Sequence, residues 1–233
     1  MSSGIQRAFD AAAGSVVEAF RHANPAPEEE VTPPLLVEAL SQCFEICADP
    51  GTAGALTPEE ITEIGTQALD CIYDLSLWAY QLGLAGAQPA IEDPALEFAQ
   101  WIAQQGGEIR LLEPVVNALA RRANALHAPD ALTPLYVLAH DIIDHAAPQA
   151  RDGSPASAPD APWRILHFNC AIIATRIQHP ELMDAAYDLL ERNLPHDCAA
   201  FFAEGMREAE KQVYEPHVRA MMQQRLAKWT ARH

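Results

Sequence analysis

The sequence predicts an all-α protein of about ten helices, packed as antiparallel helical hairpins or a short helical-repeat-like array. Three observations carry that prediction. Proline recurs directly after residues that can cap a helix, apolar positions recur at three- and four-residue intervals, and no run shows sustained β-branched alternation. Thr32-Pro33, Thr57-Pro58, Asp93-Pro94, Thr133-Pro134 and His179-Pro180 each place proline at a first helical position. Its missing N–H costs nothing there, and a preceding threonine or aspartate can accept from the first turn.

Taken in order, helices are expected over 4–23 and 34–47, then over 58–83, where the signal is clearest. The run TPEE, Thr57 to Glu60, completes a capping box. Behind it Ile61, Ile64, Ala68, Cys71, Ile72, Leu75, Trp78, Ala79 and Leu82 fall on one apolar stripe. Further helices are expected over 93–105, 108–126 and 134–146, with Pro114 marking a kink or a new start because it removes a backbone donor. The segment APQARDGSPASAPDAP at 147–162 has the composition of a surface loop or linker. It separates an acidic helical part, 1–146, from a C-terminal helical portion, 163–233. Helices over 163–178, 180–193, 197–214 and 216–231 complete the reading, with Pro216 acting as Pro114 does.

Windows beginning near Pro58, Glu92, Arg164 and His196 each hold a helix pair of about 32 to 34 residues. In the last two, Tyr187, Leu190 and Pro195, followed by Phe202, Ala203 and Met206, have the spacing of a repeat's second and first helices. This final quarter resembles the tetratricopeptide family, which implies stacked helical hairpins. Ordinary antiparallel hairpins are the alternative.

At 233 residues the chain is long enough to bury a core without metal or disulfide support, so no cofactor is implied. Its five cysteines form no C-x-x-C, which disfavours a disulfide framework and a zinc knuckle. Cys43 and Cys47, four apart, read as two ligands or as small buried hydrophobes. No run of about 18 apolar residues offers a membrane span, and the charged start MSSGIQRAFDAAAG points to the cytoplasm. G-x-S-x-G, phosphate-binding glycine loops and H-E-x-x-H are all missing from the sequence.

The net charge of -17 disfavours nucleic acid as a partner, and its distribution is uneven. Residues 22–109 hold 15 acidic side chains and no lysine or arginine. On the outer face of the helix expected over 58–83, Glu59, Glu63, Asp70 and Asp74 include like-charge pairs four apart, which cost about 0.2–0.5 kcal/mol each on an isolated helix. Glu28 to Glu30 and Glu92-Asp93 add the same sign. The C-terminal segment is the opposite: Arg219, Arg225, Lys228 and Arg232 accompany Val218, Met221, Met222, Leu226 and Trp229. It can fold back on the acidic block, bind another subunit or approach an anionic partner.

One further stretch carries chemistry. In LAHDIIDHAAP, at 138–148, His140, Asp141, Asp144 and His145 occupy the polar arc of a helix opposite Leu135, Leu138, Ala139, Ile142, Ile143 and Ala146. The HD dipeptide after the apolar run Tyr136 to Ala139 resembles the HD phosphohydrolase motif. That resemblance implies a metal-dependent hydrolase, which also uses an upstream histidine; the nearest one here is His127. His167 or His196 would assist such a site, although His167 also reads as a satisfied core histidine and Asp197 after His196 as an N-cap. Two functions are therefore expected. The first is a cytoplasmic interaction protein, an adaptor or client-specific chaperone, whose Glu59, Glu63, Asp70 and Asp74 receive a partner's basic or amphipathic segment. The second is a hydrolase built on His140, Asp141, Asp144 and His145.

Overall fold

A computed structural model describes residues 3–23, 31–152, 161–211 and 214–231. Glu28 to Glu30, residues 153–160 of the 147–162 segment and Arg232 lie outside the described residues. Within them the chain forms thirteen α-helices. Three of these, α3 (Pro50–Ala53), α5 (Gln88–Glu92) and α9 (Pro148–Asp152), have five residues or fewer. The longer ones are α1 (Ser3–Ala23), α2 (Pro33–Ala48), α4 (Pro58–Gln81), α6 (Pro94–Gln104), α7 (Glu113–Ala125), α8 (Pro129–His145), α10 (Pro162–Ile177), α11 (Pro180–Asn193), α12 (Cys198–Lys211) and α13 (Pro216–Thr230). Among the described residues there is no strand, only one isolated parallel bridge between Ile109 and Ala146. The chain divides into two compact units, Met1–Arg122 with Asp141–Pro155, and Ala123–His140 with Ala156–His233.

The first unit is organised around α4, which packs on α2 and α6. Its start is fixed by the capping box: Thr57 Oγ1 accepts from the Glu60 N–H at 3.3 Å, and the Glu60 carboxylate accepts from the Thr57 N–H at 2.8 Å. The apolar stripe then buries Ile61, Ile72 and Leu75 completely, each contributing about 1.5–3 kcal/mol by leaving water. Gly65 lets the α4 backbone approach α6, since a Cβ there would meet two side-chain carbons of Ile102 at 2.4 Å. The Phe9 ring of α1 meets Phe44 of α2 edge to face, and Phe44 stacks on Phe98 of α6.

Two expected helix starts move. The helix expected from 108 begins at Glu113, because Ile109 pairs its backbone with His145 and Ala147 at 2.8 and 2.9 Å, and the Glu108 N–H donates to Thr62 Oγ1. Helical geometry would break those bonds. The helix expected from Pro134 begins at Pro129, with Pro134 inside its second turn. Pro216 opens α13 as a new start, and Pro114 lies in the first turn of α7.

In the second unit α10 pairs with α11 and α12 with α13 as helical hairpins. Met183, Tyr187, Leu190, Cys198, Phe202, Val218 and Met222 form its core. The buried Tyr187 hydroxyl meets Thr175 Oγ1 at 2.7 Å, and burial pushes the phenol up to about 12. Gln178 ends α10 in the left-handed region at φ 61, and its side-chain oxygen accepts the Glu215 N–H at the start of α13.

Candidate functional site

The outer face of α4 carries Glu59, Glu63, Asp70 and Asp74 along one stripe, and the structure divides them into two halves. Arg110, the first basic residue after the acidic block, reaches both Glu59 at 2.9 Å and Glu63 at 2.5 Å. These hydrogen bonds hold the Arg110 guanidinium above its ordinary pKa, Glu63 contributing first. Asp70 and Asp74 gain no such partner: among the described residues no lysine or arginine pairs with either. The Asp70 carboxyl is pushed up, first by local desolvation and then by the Asp74 charge. Tyr73 between them is raised as well, chiefly by Glu113, with desolvation and Asp74 adding to it.

One turn beyond Asp74 the stripe becomes apolar. Leu77 is 42 % exposed, Tyr80 67 %, Val31 49 % and Leu35 55 %. These are four of the six large hydrophobic side chains left exposed among the described residues, and all four belong to the first unit. Val31, Asp74, Leu77, Trp78 and Gln81 line one shallow concavity, and the Trp78 indole donates to the Val31 carbonyl at 3.3 Å. The surface thus sets the Asp74 carboxylate beside the apolar Val31 and Leu77, with Asp70 one turn earlier on the same helix. The apolar part was not singled out from the sequence, although Leu77 follows Asp74 by three residues and Asp70 by seven, which places all three on one face of a helix.

Glu92, Asp93 and Glu97, later in the block, have internal partners. Glu92, buried, accepts from Ser76 Oγ at 2.8 Å and pairs with Arg121 at 2.5 Å. Arg121 also reaches Asp93, and Arg122 lies 3.8 Å from Glu97. Cys43 and Cys71 are buried and Cys47 is half-buried; burial raises all three thiols, Cys47 to about 12 and Cys71 to about 11.

The histidine-aspartate stretch lies at the end of α8. Asp141 and Asp144 are exposed, and His140 and His145 half-buried. His145 Nδ1 donates to the Asp141 carbonyl of its own helix at 2.9 Å, so that nitrogen is committed to backbone. His140 belongs to the second unit, where it shares a concavity with Asp188, Glu191 and Trp229. The carboxylates there are already engaged: Arg225 pairs with Asp188 at 2.5 Å and with Glu191 at 3.2 Å, and Lys228 also pairs with Glu191. His167 is buried with Nδ1 on the Trp163 carbonyl and Nε2 accepting from Asn193. His196 is exposed, and its neighbour Asp197 pairs with Arg164 at 2.8 Å. Among the described residues no three His, Cys, Asp or Glu side chains come together as a metal-holding group. The hydrolase expectation is therefore left without a ligand set there.

No protein-family model, curated protein or solved structure matches the chain. The geometry of its own residues is what a functional reading rests on. Among the described residues, no helix is long and apolar enough to cross a membrane.

Proposed function

We propose that the protein is a cytoplasmic interaction protein, an adaptor or client-specific chaperone, which receives a basic, amphipathic segment of a partner protein on the outer face of α4. A single observation carries the reading: Asp74, which borders the exposed Leu77 and Val31, and Asp70 one turn before it have no basic partner among the described residues. An amphipathic helix with cations beside its apolar stripe complements that surface in both charge and shape. Glu59 and Glu63, bridged by Arg110, extend the field that steers such a segment and are not its anchors.

Immobilised protein should retain this partner from native lysate at about 50 mM salt and release it at about 500 mM, where charges are screened within a few ångströms. Asp70→Asn/Asp74→Asn should lose the partner, as should Leu77→Ser. Glu59→Gln/Glu63→Gln should keep most of it while lowering the thermal midpoint slightly through loss of the Arg110 bridge. Equal retention by wild type, Asp70→Asn/Asp74→Asn and Leu77→Ser would overturn the reading.

A further inference from the structure

The second unit contains a cavity of about 770 Å³ bordered by α10 and α12, within the size range of sites for small organic ligands. Phe168, Ile172, Phe201 and Met222 form its apolar lining. The Phe168 and Phe201 rings lie 5.2 Å apart, and Ile172 is left 45 % exposed. A ligand covering that side chain would remove its apolar surface from water, which is favourable at about 25 cal/mol per Å².

The charges around this cavity balance in pairs, with one exception. Arg164 is matched by Asp197 at 2.8 Å, Glu204 by Arg207, and Glu208 by Lys211 at 2.7 Å. Arg176 has only carbonyl partners: Nη1 donates to Ala123 at 2.7 Å and Nη2 to Leu126. These oxygens at the C-terminal end of α7 fix the plane of the guanidinium. The end of a helix supplies about half a negative charge, so a net positive charge is left over. Among the described residues no carboxylate pairs with Arg176. The site therefore combines an apolar chamber, an exposed isoleucine at its lining and one oriented cation whose charge is not cancelled. This inference is independent of the α4 surface, which belongs to the first unit.

We infer that this cavity binds a small amphipathic carboxylate, its aliphatic body against Phe168, Ile172 and Phe201 and its carboxylate on Arg176. Charge-assisted hydrogen bonds are about twice as strong as neutral ones, so the acid should be preferred over the alcohol of equal chain length. Isothermal titration of the full-length protein with decanoate and with decanol, both as monomers in solution, tests this. Wild type should bind one decanoate saturably and about tenfold more tightly than decanol. Arg176→Gln should bring the two ligands within about threefold of one another. Because Arg176 also holds the end of α7, a second variant is needed: Ile172→Glu, at an exposed helical position, should weaken decanoate about tenfold or more with an unchanged circular dichroism spectrum. No saturable decanoate binding, equal affinity for the two ligands in wild type, preserved discrimination in a folded Arg176→Gln, or decanoate affinity unchanged by Ile172→Glu would each overturn the proposal.

Discussion

Two helices of this protein carry an acidic stripe along one face, α4 with Glu63, Asp70 and Asp74, and α11 with Asp184, Asp188 and Glu191. On α11 the stripe is closed by α13: Arg225 reaches all three carboxylates, at 2.8, 2.5 and 3.2 Å, and Lys228 joins at Glu191. On α4 a single arginine closes the first half and leaves the second. Arg225 and Lys228 of the basic C-terminal segment, which the sequence allowed to seek the acidic block or a partner, pair within their own unit. An acidic stripe is thus not a functional signal in itself. It becomes one where the local sequence withholds the cations, as residues 22–109 do.

The comparison can be broken most forcefully at Glu191. Burial pushes its carboxyl up, but hydrogen bonds from Lys228, Trp229 and Arg225 outweigh this and leave it below its ordinary pKa of 4.5. Such a carboxylate contributes stability that is present at neutral pH and is lost as pH falls through its folded-state value. Glu191→Gln should therefore cost about 2–3 kcal/mol, near the lower end for breaking a buried pair because Lys228 is partly exposed. Thermal unfolding should show the deficit at neutral pH and its disappearance in acid. A variant as stable as wild type at neutral pH would mean that the α11 stripe is no better compensated than that of α4.

On α4 the opposite sign is expected. Because Asp70 is raised, its ionisation is harder in the folded state, and the penalty grows as pH rises through the folded-state value. Asp70→Asn/Asp74→Asn should raise the thermal midpoint at neutral pH, with a gain that shrinks in acid and in high salt. A lower midpoint would reveal a stabilising role for this pair and weaken its assignment to a partner.

The smallest effect sharpens the comparison by supplying what the block lacks. Gln67, exposed on α4, stands four residues after Glu63 and three before Asp70. Gln67→Lys should add about 0.2–0.5 kcal/mol of stability and reduce partner capture at low salt. If capture is undiminished, charge on this face does not govern binding.

Where local chemistry decides structure, the fold was legible. The ten longer helices, the capping box at Thr57 and the proline starts at Pro33, Pro58, Pro94 and Pro180 follow from side chains within a few residues of each other. The short α3 was missed although Asp49 caps it, accepting from the Gly51 N–H and Thr52 Oγ1 at 3.1 and 2.6 Å. Features that depend on distant partners were hidden. Arg110 meets Glu59 and Glu63 across 51 and 47 residues, and nothing near Glu59 foretells that meeting. The late start of α7 has the same origin, since the pairing of Ile109 is decided by residues near 146.

That bridge also bears on the order in which the chain can fold. Ile109, Ala146 and Ala147 are buried, and the two hydrogen bonds between them and His145 satisfy backbone groups that have no access to water. The first unit therefore needs a strip of chain that the ribosome adds only after most of α8, long after α1 to α6 have emerged. Until that strip is added, the Ile109 N–H and carbonyl lack the His145 and Ala147 partners they have in the folded unit. A nascent chain stalled before residue 141 should be cut readily by protease within the first unit, and one extended past residue 152 should resist. In this protein the closing piece of the earlier unit is delivered by translation of the later one.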